Sequence, residues 1–295
     1  MALEFRRKRF HKPGHKWQLA LALLVLAVAL CFAAVWISVN LLIDAPDKQE
    51  PTSVDSTPET VYSAEDVRNL LIILRGETNE QFVILRFDPV QAAVSTVTLP
   101  AETLTEEGVQ LGDVLHKNGE AAVTAQVSRL LQLPIRHYIA FSREQLQKWF
   151  EYLGNDLDIT LDSSVQYRSD DGQTILMENG PHTINAKTVT QLLLNGVGST
   201  PLVQTELTSH IMATMVNQYL SSGRSLSGDF AHIADESKTS LRIGDFNDYR
   251  SVLSYLAERN GGNICKAIRL YGSANSSGVV LDVDALRKTP LFAVP

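Results

Sequence analysis

Cysteine is nearly missing from this chain of 295 residues: there are two, Cys31 and Cys265. They lie far apart, and neither belongs to a Cys-x-x-Cys or Cys/His pattern. A structural zinc site is therefore excluded as a reading, and the fold must be held by its core and not by covalent staples. Cys265 reads as a small buried apolar residue, since no basic or histidine neighbour in sequence would activate its thiol. The chain also has no Gly-x-Ser-x-Gly elbow, no P-loop and no His-Glu-x-x-His string. Its histidines are scattered without ligand spacing. No internal repeat or low-complexity tract is present.

The most telling absence is that of charge. Between Lys16 and Asp44 no Lys, Arg, Asp or Glu occurs, a gap of 27 residues. Its apolar centre runs from Leu19 to Val39. A helix of that length covers ~31 Å, close to the ~30 Å of a bilayer interior. Arg6, Arg7, Lys8, Arg9, Lys12 and Lys16 precede it, whereas Asp44, Asp47 and Glu50 follow. The basic flank marks the cytoplasmic side. The expectation is a basic cytoplasmic tail (1–16), a single transmembrane anchor (17–43) with Trp17 and Trp36 near its ends, and an exterior remainder. The span is too long for a cleaved signal sequence and has no small-x-small site after it.

Residues 44–66 are rich in Pro, Ser, Thr and acids and read as an extended linker. The formal net charge is −7. The first 16 residues hold six Lys/Arg and one acid, +5, so the remainder carries about −12. An acidic exterior domain argues against nucleic acid as a partner, because phosphate binding needs clustered Lys and Arg. Residues 67–295 are enough for one domain with a sizeable core.

Within that domain, 69–74 (NLLIIL), 82–87 (FVILRF) and 92–99 (AAVSTVTL) read as strands, with Asp88-Pro89 as a turn. Helices are expected over 120–132, 143–153, 188–194, 205–220 and 246–259. The second of these opens on a capping box, Ser142 with Gln145. Further strands are expected at 135–141 and 158–161, and a closing hairpin over 269–283, while 162–182 reads as polar and turn-rich. The interleaving predicts an α/β fold: a central mixed sheet covered by helices on both faces. Arg86, alternating with apolar neighbours, reads as a surface residue.

The order of these segments resembles the LytR-CpsA-Psr family of bacterial cell-envelope proteins. The resemblance is carried by NLLIIL, by the strand ending in Asp88-Pro89, by VTLPAET (97–103), by LLQLPIRHYIAFSREQLQKWFEYLG (130–154) and by GPHTINAKTVTQLLL (180–194). It extends from about Asn69 to Glu258. It implies an extracytoplasmic, membrane-anchored domain with an apolar lipid pocket. The implied activity is a phosphotransferase that moves glycopolymers from a polyprenyl pyrophosphate to peptidoglycan, with arginines on the pyrophosphate and acids on a divalent cation such as Mg. Where the family carries Arg-Ser-Asp-Thr this chain has Thr78, Asn79, Glu80 and Gln81. Where it carries Pro-Arg-Asp-Thr this chain has Pro100, Ala101, Glu102 and Thr103. Tyr-Val-Arg-x-Arg falls on Leu192 to Gly196, and an arginine-rich helix start falls on Gln204 to Ser209. Every matched arginine is gone and both acids have become glutamate.

Pyrophosphate chemistry needs such cationic clamps. The expectation is therefore a degenerate member that binds a polyprenyl lipid, a cell-wall glycan or an envelope protein partner and does not catalyse transfer. The first alternative is an active transferase using Glu80 and Glu102 as metal ligands and Arg75 as ligand-binding cation. The second is a structural or regulatory factor that recruits an active paralogue.

Overall fold

A computed structural model describes residues 62–289, except 77–78, 155, 198–199, 223–225 and 260–262. All of these fall within one unit, residues 60–295. The anchor with its limits Leu19 and Val39, the basic tail, most of the linker and Thr78 lie outside the described residues. Among the described residues no helix is long and apolar enough to cross a membrane.

The three apolar runs pair in sequence order. β1 (Arg68–Arg75), β2 (Glu80–Asp88) and β3 (Ala93–Pro100) form an antiparallel meander, with Arg75 opposite Glu80, Leu70 opposite Leu85, and Gln81 opposite Pro100. The Asp88 side chain accepts from the Gln91 amide at 3.0 Å and closes the second turn. β2 is buried at every position. That is why its sequence is a continuous apolar run and does not alternate.

Two helices follow, α1 (Leu111–Asn118) and α2 (Glu120–Leu131), separated by Gly119 at φ 83°. β4 (His137–Ser142) then joins β1 in parallel, and α3 (Arg143–Leu153) starts on the Ser142 capping box. A peripheral arm comes next. In it β5 (Asp156–Leu161) pairs with β8 (Gly180–Asn185), and β6 (Val165–Arg168) pairs with β7 (Thr174–Met177). The polar stretch 162–182 thus holds a hairpin that its composition hid. α4 (Ala186–Leu194) and α5 (Pro201–Ser221) follow, capped by the Asn185 and Thr200 side chains.

After α6 (Leu226–Glu236), β9 (Lys238–Thr239) adds antiparallel to β4. α7 (Ile243–Glu258) leads to β10 (Cys265–Ala267), parallel to β3. A hairpin of β11 (Gly272–Asn275) and β12 (Gly278–Leu281) and a last short helix, α8 (Val283–Arg287), complete the described chain. The sheet order is β10-β3-β2-β1-β4-β9, with both parallel and antiparallel neighbours.

Side chains of the strands alternate between two separate cores. Leu70, Ile72, Leu74, Val83, Leu85 and Phe87 pack with α3, α4, α5 and α7. Leu71, Ile73, Phe82, Ile84, Val97 and Leu99 pack with α1 and α2. Helices cover both faces of a mixed sheet, as the sequence predicts. Arg86 departs from its reading. It is buried at 3% exposure, with Nη2 3.5 Å from Asp88 Oδ2, because the central strand has no solvent face.

Candidate functional site

On the α3/α5/α7 face the sheet and helices leave a cavity of about 120 Å³. Leu70, Ile72, Leu85 and Phe87 supply its floor, and Trp149, Met215, Val216 and Phe246 are among its helical walls. Among the described lining residues the single charged one is Asp229, whose carboxylate accepts the Tyr219 hydroxyl hydrogen at 2.7 Å. The size is close to the ~150 Å³ engineered cavity that stays dry and binds benzene. Such a space suits a short apolar segment.

Further along the same face, toward the end of β1 at Arg75, the polar positions are packed shut. Gln81 donates to the Leu193 carbonyl at 2.5 Å, and Gln204 donates to the Leu192 carbonyl at 2.8 Å. These carbonyls belong to the last turn of α4, where backbone acceptors lack intrahelical donors. Two buried amides thus serve as its C-terminal caps. A Cβ atom built on Gly196 would stand 1.9 Å from Gln204 Oε1, so a side chain at 196 would have to displace that amide. From α5, Ser209 donates to Thr98 of β3 at 2.8 Å. Gln81, Leu192 to Leu194, Gln204, Thr205, Thr208 and Ser209 are all buried.

The opposite face carries the charges. Arg75 Nη1 lies 3.0 Å from Glu120 Oε1, and Arg75 Nε lies 3.9 Å from Glu80 Oε1. Lys238 Nζ reaches the other Glu120 oxygen at 2.6 Å, and His116 Nε2 reaches the other Glu80 oxygen at 3.3 Å. Burial, the largest influence on both acids, pushes their pKa values up. At Glu80 burial prevails over His116 and Arg75, and the carboxyl sits above its ordinary value. At Glu120 the hydrogen bonds from Lys238 and from its own backbone N–H, with the charges of Lys238 and Arg75, outweigh burial and hold it below.

Of the three site residues named from sequence, Arg75 and Glu80 meet. Glu102 is half-buried, and among the described residues its carboxylate has no ion pair or hydrogen bond to either of them. Among the described residues no three His, Cys, Asp or Glu side chains cluster closely enough to hold a metal. A hard divalent cation takes six or more oxygens, and the two oxygens of Glu80 already face Arg75 and His116. The set does not fit a metal.

Glu120, Lys238 and His116 escape a sequence reading. Glu120 is legible as a helix-start acid, but Lys238 lies 118 residues away and only the fold places it alongside. Cys265 is buried and its thiol pKa is pushed up by burial to about 12, which leaves it unreactive.

No protein-family model matches the chain, and no curated protein matches it in sequence. Solved structures do. A protein of Eubacterium siraeum named as a transcription regulator superposes with a TM-score of 0.70 at 17% identity, over 82% of this chain and 96% of that one. TagV of Bacillus subtilis gives 0.59 at 13% identity, over 76% and 95%. TagT bound to LIIa-WTA gives 0.57 at 11% identity, over 80% and 93%. TagV and TagT are LytR-CpsA-Psr proteins. The chain has the fold of the LytR-CpsA-Psr proteins, the family that its residues from Asn69 to Glu258 resemble.

Proposed function

We propose that this chain is a single-span protein of the bacterial cell envelope, with its N-terminus cytoplasmic and its folded domain outside. There it binds the apolar part of a lipid carrier or its glycopolymer and does not catalyse phosphoryl transfer. The reading is supported chiefly by one contrast. An apolar cavity is present, whereas the positions that match the family's arginines carry Thr78, Ala101, Leu194, Gly196 and the arginine-free stretch from Gln204 to Ser209. Apolar burial at ~25 cal/mol per Å² suffices to hold a lipid segment without a head clamp. Among the described residues a pyrophosphate would meet no free guanidinium there, and losing one such donor costs ~2.7–4 kcal/mol of transition-state stabilisation. Arg143, which donates to the Asn195 side chain at 3.2 Å beside this site, is paired with Asp170, and Arg75 is bound to Glu120 on the other face of the sheet. That TagT is bound to LIIa-WTA agrees with a glycopolymer-handling role.

The test is a melting experiment on the full chain in lipid nanodiscs, with a short polyprenyl pyrophosphate and the corresponding polyprenol. Both ligands should raise the melting temperature by similar amounts, independently of magnesium or manganese. Val216→Phe, which fills the cavity, should abolish the effect. A rise seen only with the pyrophosphate and the metal, and lost in a Glu80→Ala, Glu102→Ala double variant, would instead establish the active transferase.

A further inference from the structure

A second cavity of about 530 Å³ opens at the end of the sheet remote from Arg75. Two arginines form one wall. Arg68 begins β1, and Arg136 precedes His137 of β4. The two strands are parallel neighbours, with Leu70 paired to His137. The other wall is the start of α7, with Asp245, Asp248 and Tyr249. Cations thus come from the strand ends and carboxylates from the facing helix.

The opposed charges do not pair with one another. Arg68 Nη1 donates to the Glu65 carbonyl at 2.5 Å, which ties it to its own chain. Asp245 Oδ2 is held by the Arg242 amide at 2.9 Å, and Oδ1 stands 3.8 Å from His137 Nε2. Among the described residues Arg136 and the Asp248 carboxylate have neither ion pair nor hydrogen bond. All four charges bear on Tyr249, whose hydroxyl donates to the Asn69 carbonyl at 2.8 Å. Burial dominates in raising its pKa, the arginines oppose that rise and the aspartates add to it.

At the base, Asn69 is only 3% exposed, yet its Oδ1 has no partner among the described residues, and neither has His137 Nδ1. Both atoms are themselves buried, so they mark imperfect polar packing beneath the cleft and are not contacts for its occupant. Two arginines facing two aspartates across a cleft complement a molecule with the reverse pattern, and Glu65, three residues before Arg68, is a third lining carboxylate.

We propose that this cleft binds a small zwitterion of the amino-acid or dipeptide class, its carboxylate between Arg68 and Arg136 and its ammonium toward Asp245 and Asp248. The site uses none of the residues of the apolar cavity, so it stands whether or not that cavity holds lipid. The probe is glycylglycine, titrated into the full chain in nanodiscs and followed by saturation-transfer NMR. Saturable binding at millimolar concentration is expected. N-acetylglycylglycine and glycylglycinamide, each lacking one charge, should bind at least about tenfold more weakly. Arg136→Gln and Asp248→Asn should each weaken glycylglycine by about tenfold, the scale of one lost charged hydrogen bond. Both positions are exposed, so the melting temperature should stay unchanged. Absence of saturable binding, an equal response to the neutral sugar N-acetylglucosamine, or indifference to both substitutions would overturn the proposal.

Discussion

Glu80 and Glu120 lie within reach of one guanidinium, yet the fold shifts them in opposite directions. The sign of each pH dependence follows. Glu120 has a folded pKa below its unfolded value of ~4.3, so its stabilisation is present above that value and fades as pH falls through the folded one. Glu80 has a folded pKa above it. Its folded form binds the proton more tightly, and stability drawn from it declines as pH rises from ~4.3 through the folded value. Glu120→Gln should therefore destabilise the protein at pH 7, by about 1–2 kcal/mol given its part-exposed partners, and by less at pH 4. Glu80→Gln should be relatively more favourable at pH 7 than at pH 4. Urea denaturation at the two pH values measures both. Neither behaviour is legible in the sequence, where Glu80 is a strand-end acid and Glu120 a helix-start acid, because burial and partners arise only on folding.

Among the elements, those with strong local signals are legible and those made by contact are not. α3 is read from Ser142 and Gln145, and both hydrogen bonds of the box form, at 2.8 and 3.4 Å. Ser142→Ala should cost about 1 kcal/mol, seen as a lowered urea midpoint with an unchanged slope. α1 has two turns and no side-chain cap, and it is held by burying Leu111, Val114 and Leu115. β9 and β10 have two and three residues and exist only as additions to the edges of a sheet already formed. The α4–α5 junction depends on the Gln204 amide. Gly196→Ala should push that amide away, strand the carbonyl of Leu192, and lower stability by about 1–3 kcal/mol. A melt of this variant beside wild type checks it.

On the scale of the whole molecule, the two faces of the sheet divide the work. One face is fully packed against α1 and α2 and carries its ions at the rim, whereas the other keeps a void among large apolar side chains. A void forfeits dispersion contacts along its lining. Val216→Phe should recover part of them, raising stability by about 0.5–2 kcal/mol while removing the lipid response. A calorimetric melt with and without polyprenol reads both effects at once. A gain in stability with the lipid response intact would move the binding site elsewhere.

The sequence by itself determined the mixed α/β class, the three adjacent central strands and the main helices. These rest on local periodicity, capping residues and residue identity, all of which survive without coordinates. Only the tertiary structure decided that Arg86 is buried, that Arg75 belongs to Glu120, that Glu102 does not pair with Arg75, and that neutral amides close the α4 end. Each of these joins residues distant in the chain or turns on how completely a strand is covered, and burial and pairing at that range come from packing alone.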